Sequence, residues 1–167
     1  MAITKIQSES LNLSDTYDFT GTVTGAGGVN TPAFFVRQSS NQSITKNTLV
    51  KLQFPTEVYD TANAFASNTF TVPSGQSGKY FFYGRIAYLT ENDFEKSQFR
   101  IYVNGSDVDD GAVTSNINQD TVTFNYSLDL SVGDTVEAYT YNNYGGAEPS
   151  IVTFAGRTNF GGYKIIE

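Results

Sequence analysis

The side chains in this chain best equipped for chemistry are carboxylates, and their densest group is Asp107, Asp109 and Asp110. Glycoside hydrolysis needs two carboxyl groups about 5–9.5 Å apart across a bond, and no partner carboxylate presents itself for this triplet. Calcium prefers several oxygens, yet the spacing does not fit an EF-hand loop with its glycine at the sixth position. The triplet reads as a solvated turn, with a weak calcium site as the alternative. Glu91, Asp93 and Glu95 read likewise as an exposed loop. The chain has no histidine and no cysteine, which excludes a Ser-His-Asp triad, a Cys-His pair, a zinc site of the usual ligands and a disulfide frame. No catalytic residue and no cofactor are expected.

A second chemistry is offered by Tyr139, Tyr141 and Tyr144 with Asn142 and Asn143, which supply stacking faces and amides suited to a sugar. The plainer reading of YTYNNYGG is a strand running into a loop. The absence of tryptophan, the best stacking residue, weighs against a sugar there.

Whatever these residues do, β-strands must position them. Only 16% of the 167 residues are charged, and aromatic residues make up 14%. Ser, Thr, Asn and Gly provide the polarity, a mixture poor in helix formers and rich in β-branched, aromatic and turn residues. The formal charge of -7 repels a phosphate backbone or an anionic membrane. No apolar stretch approaches the roughly 20 residues of a bilayer span. MAITKIQSES lacks the charged and apolar regions of a secretory signal, so synthesis in the cytoplasm is expected.

Residues 1–31 differ from the rest. Ile3, Ile6, Leu11 and Leu13 are sparse anchors, and Gly21, Gly25, Gly27 and Gly28 then punctuate the chain. This pattern reads as an attachment arm and flexible linker, or alternatively as a first strand pair with Tyr17, Phe19 and Val23 inward. From residue 32 to 167 short strands follow one another. Val50, Leu52 and Phe54 alternate with Lys51 and Gln53, and Pro55 ends that run. Thr69 to Val72, Lys79 to Leu89 and Gln98 to Val103 follow, and Asn104-Gly105 predicts a tight hairpin turn. The clearest strand is Thr121 to Leu130, where five apolar residues alternate with polar ones. Ser131 to Asp134 turns the chain into Thr135 to Tyr141. Asn142 to Pro149 reads as a loop, and Ile151 to Arg157 and Gly162 to Ile166 finish the head. The expectation is an all-β, two-sheet antiparallel jelly-roll sandwich.

Some strands carry aromatic residues on both faces: Tyr80 and Phe82 against Phe81 and Tyr83. A sandwich hides one face of each sheet, so a subunit contact or ligand is expected on the other.

PAFFV, LVKLQFPTEVYDTANAF, FTVPSGQSGKYFFYGRI, IYVNG, LDLSVGDTVEAY and VTFAGRTNFGGYKII occur in the order and spacing of one family. In them the chain resembles the globular head of the complement first-component q subunit and, more distantly, the tumour necrosis factor jelly roll. That resemblance implies ten strands in two sheets, packed as a homotrimer with aromatic residues along the axis. Tyr80, Phe82, Tyr102, Phe154 and Tyr163 are the axis candidates, with the choice of inner face left open. The 167 residues hold no collagen-like Gly-X-Y repeat of the kind that often precedes such heads. The arm instead resembles the openings of small structural proteins of tailed bacteriophages. Together these resemblances imply a non-enzymatic homotrimeric virion protein, a tail fibre, head fibre or capsid decoration. It would dock on other virion proteins and contact a host glycan or receptor, free of nucleic acid and membrane. An independent carbohydrate-binding or adhesive module is the alternative.

Overall fold

A computed structural model describes residues 31–89, 94–109, 113–114, 121–144, 151–153 and 155–165. The attachment arm, with Ile3, Ile6, Leu11 and Leu13, lies outside the described residues. In chain order the strands are β1 (Ala33–Arg37), β2 (Ser43–Ile44), β3 (Leu49–Lys51), β4 (Thr56–Asp60), β5 (Phe65–Ala66), β6 (Thr69–Thr71) and β7 (Gly78–Leu89). They continue as β8 (Phe94–Val103), β9 (Ser106–Asp109), β10 (Val113–Thr114), β11 (Thr121–Leu130), β12 (Thr135–Tyr144), β13 (Ile151–Thr153) and β14 (Asn159–Lys164). Every described ladder is antiparallel, and no helix occurs among the described residues.

Several of these segments share one position in a sheet. β13 and β14 both lie along the same edge of β7, and β2 and β1 continue that arrangement one strand further out. The first sheet therefore runs β11, β7, β14 with β13, β1 with β2, and β4. In the second, β3 and β6 share an edge of β12, and β9 and β10 share an edge of β8. That sheet runs β9 with β10, β8, β12, β3 with β6, and β5. Two five-position sheets facing each other form the jelly-roll sandwich.

The period of two decides which residues lie between the sheets. In β11, Val122, Phe124 and Leu130 are buried and Thr123, Asn125, Ser127 and Asp129 are exposed. In β12, Val136, Ala138 and Thr140 point inward. The core is strongly aromatic: Phe34 stacks on Phe70 at 5.0 Å, Phe82 meets Phe160 at 6.1 Å and Phe99 stacks on Phe124 at 4.8 Å. The Asn104-Gly105 turn takes the two positive φ angles that its type requires, 51° and 76°.

One strand is added to the sequence reading and two readings are corrected. Thr56–Asp60, to which the sequence assigns no strand, is the edge strand β4, whose mostly exposed residues hide the alternating signal. Glu95, expected in an exposed loop, has its backbone in strand β8, which begins at Phe94; residues 91 and 93 lie outside the described residues. Asp107 sits in strand β9, not in a turn, held there by pairing with Tyr102.

β14 carries adjacent glycines for a steric reason. A Cβ on Gly162 would come within 2.6 Å of the Phe82 ring and 3.1 Å of Phe34. Gly162→Ala is accordingly expected to destabilise the fold by about 1–3 kcal/mol through overpacking, read as a lower denaturant midpoint in urea unfolding.

Candidate functional site

The outer face of the first sheet carries a continuous aromatic patch. Gly161 leaves no side chain between β1 and β7, and a Cβ there would meet the Tyr83 ring at 2.7 Å. Tyr83 therefore lies over the glycine and stacks on Phe35 at 6.2 Å, and Phe35 stacks on Tyr59 of β4 at 6.2 Å. One row along, Phe81 approaches Tyr163 at 5.6 Å and Tyr83 at 6.4 Å. Phe35, Phe81, Tyr83 and Tyr163 are partly buried, while Tyr59 is 44% and its neighbour Val58 50% exposed. Burial, then the Tyr59 hydroxyl and charge, then Tyr163, push the Tyr83 phenol well above its ordinary pKa. Three phenols thus meet on one apolar face.

This arrangement corrects the axis candidates. Tyr80 and Phe82 are completely buried between the sheets, so they pack the core and cannot line an outer contact. The Tyr80 hydroxyl donates to the Gln76 carbonyl at 2.6 Å, and burial raises its pKa to about 12. Tyr102 lies on the second sheet, and Phe154 falls outside the described residues. Tyr163 belongs to the patch with Phe81 and Tyr83, the face of that strand the sequence named as the alternative, and with Phe35 and Tyr59, which the sequence did not nominate.

The second sheet's outer face is built differently. Tyr102 and Tyr139 lie with ring centroids 4.5 Å apart. Beside them Glu137 accepts from the Lys51 ammonium, from Thr69 Oγ1 at 3.0 Å and from the Tyr139 hydroxyl at 3.2 Å. Arg100 pairs with Asp107 at 2.7 Å and donates to Gln98 Oε1 at 2.8 Å. Burial pushes the Glu137 carboxyl up, but the hydrogen bonds from Lys51 and Thr69, with the Lys51 charge and Tyr139, outweigh it and leave its pKa below the ordinary value. Asp107 is thus paired with Arg100 rather than free. Asp110 and the Asp109 side chain lie outside the described residues, and among those residues no group of three metal-ligating side chains occurs.

The expected ligand loop is not a loop. Tyr139 to Tyr144 all belong to β12, and Asn142 is completely buried. Its Oδ1 accepts from Ser97 Oγ at 2.6 Å; Ser97 Oγ lies 2.9 Å from Tyr88 Oη, and Tyr88 Oη meets Thr140 Oγ1 at 2.7 Å. Asn142 therefore belongs to an interior polar network, where burial raises the Tyr88 phenol pKa against the opposing hydrogen bonds. Tyr141 and Asn143 stay on the outer face, with Lys96 and Arg100 each 6.0 Å from the Tyr141 ring centroid. The Tyr144 side chain lies outside the described residues.

Two antiparallel sheets in this order define the jelly roll of the complement globular-head and tumour necrosis factor type. Solved structures with the same fold include the globular domain of zebrafish complement 1qA protein, at 16% identity and a TM-score of 0.54, covering 81% of this chain and 98% of that one. Murine APRIL is similarly placed at 11% identity and a TM-score of 0.56, covering 80% of this chain and 98% of that one. No protein-family profile matches the chain, and no curated protein matches it.

A depressed carboxyl pKa stabilises the fold above the unfolded value of 4.5 and ceases to do so as pH falls through the folded value. Glu137→Gln is expected to lower stability at neutral pH by about 1 kcal/mol or less, as for other part-exposed pairs. Urea unfolding of both proteins checks this, and the difference should close progressively in acid.

Proposed function

We propose that the chain is a non-enzymatic, homotrimeric structural protein of a tailed-bacteriophage virion. In this reading a fibre, appendage or decoration protein docks on capsid or tail through residues 1–31, and its head, residues 32–167, projects for particle assembly or host contact. The observation that carries self-association is the patch of Phe35, Tyr59, Phe81, Tyr83 and Tyr163. Large contiguous apolar patches are rare on monomers, and a three-fold arrangement would cover each copy's patch with its neighbours. The family resemblance, which implies homotrimers with aromatic residues along the axis, supports the same arrangement. The virion setting is supported by the resemblance of the arm to phage structural proteins and by the Ser/Thr/Asn-rich β composition, suited to the surface of a released particle. The charge of -7 argues against a nucleic-acid partner.

Native mass spectrometry of the full chain should give three times 18.3 kDa. Phe81→Lys with Tyr163→Lys, both on the outer face, should reduce it to a single chain with an unchanged circular dichroism spectrum. A wild-type monomer would sink the trimer. Docking is tested by limited proteolysis within residues 1–31, expected to cleave the isolated protein and to be blocked in assembled particles.

A further inference from the structure

β4 closes one sheet and β5 the other, and between these edges the sandwich opens into a cleft of about 350 Å³. Val36, Phe54 and Phe65 form its apolar floor, and Gln53, Glu57 and Ser67 stand at its rim. The volume lies within the range of small-molecule sites, about 300–1,000 Å³.

The walls are pinned before any ligand arrives. Asn68 Oδ1 accepts from the Phe54 amide at 2.7 Å, and the Asp60 carboxylate accepts from the Phe65 amide at 2.7 Å and the Ala62 amide at 3.2 Å. Ser67 and Asn68 turn β5 into β6 with φ of 50° and 61°. Phe65 stacks on Phe34 at 5.0 Å, yet it is only partly buried. Preorganisation of this kind lowers the ordering cost of binding.

The rim groups are also uncommitted. Gln53, Glu57 and Ser67 are exposed, and among the described residues their side chains have no hydrogen-bond or ion-pair partner. On the second sheet's outer face, by contrast, Glu137 is spent on Lys51 and Asp107 on Arg100. An amide, a carboxylate and a hydroxyl above an aromatic floor match a molecule with one C–H face and an edge of hydroxyls. Among the described residues Glu57 is the only charged one of the lining, and the chain carries -7, so an anionic ligand is disfavoured.

We propose that this cleft binds a neutral saccharide unit, its C–H face on Phe65 and its hydroxyls on Gln53 and Glu57. This assignment deepens, and rests on, the host-contact part of the function proposed above; it moves the sugar from the Tyr139 to Tyr144 stretch of the central strand β12 to the β5 edge of the second sheet.

The test is saturation-transfer NMR on the full chain with neutral disaccharides of glucose, galactose, mannose and N-acetylglucosamine, and with sialyllactose as an acidic comparison. At least one neutral sugar should show transfer, and sialyllactose should not. Gln53→Ala with Glu57→Ala, both on the exposed rim, should weaken binding about tenfold, as expected for two lost hydrogen bonds. Tyr139→Ala with Tyr141→Ala should leave binding unchanged. Silence from every neutral sugar, binding indifferent to the rim variant, or loss in the tyrosine variant would overturn the assignment. Native mass on the same samples separates the two readings: trimers that ignore sugars remove the cleft site alone, and monomers that bind them remove the assembly alone.

Discussion

The glycine pair at the centre of the first sheet is the constraint on which both faces of that sheet depend. β14 lies between β1 and β7, the two strands that carry the largest rings, and side chains on β14 would hold those rings apart. Gly162 gives up its space to Phe82 and Phe34 on the inside, and Gly161 gives up its space to Tyr83 and Phe35 on the outside. Glycine weakens a strand interior through backbone entropy, and here the aromatic packing offsets that cost. Core and outer patch are therefore coupled through two adjacent residues. A change that disturbs one face tilts the strand that supports the other.

The interior is not uniform along its length. Around Phe34, Phe70 and Phe82 it is rich in stacked rings, whereas beyond Ile86 it becomes polar, with Tyr88, Ser97, Thr140 and Asn142 bonded to one another and Gln38 to Thr153. Buried hydroxyls and amides are costly unless paired, and here nearly all are. Asn142 Nδ2 is without a partner among the described residues. Hydrogen bonds at one end demand one strand register, while rings at the other tolerate small shifts; the polar end thus specifies alignment that the aromatic end then holds by area.

Much of this architecture can be read from residue order. Thr121 to Leu130 alternates without exception, and Asn104-Gly105 admits few conformations, so both read correctly. The inward face of β7 was not legible, because Tyr80 and Phe82 differ little in type from Phe81 and Tyr83. Only the register against Gly161 and Gly162 separates them. Asn142 misled for a related reason: an Asn-Asn pair followed by Tyr-Gly-Gly has loop composition, and its burial depends on Ser97 and Tyr88, distant in sequence. β4 escaped notice because an edge strand with exposed side chains needs no apolar alternation. The cleft was invisible because its floor and rim converge only through turns held by Asn68 and Asp60.

β3 and β6 occupy one position beside β12, although residues 52–68 separate them. The ladder leaves off after Lys51 and resumes at Phe70 in the same direction, so the intervening chain is a detour that the sheet itself does not require. Leu52, Phe54 and Ala64 are core residues of this detour and β4 pairs with β1, so those parts are held to the scaffold. Its exposed turns carry no such duty and can change length and composition at little cost, since closure entropy grows slowly with loop length; selection acting on recognition has those turns to rewrite while β7, β12 and β14 stay as they are, much as interchangeable heads are fitted to one handle.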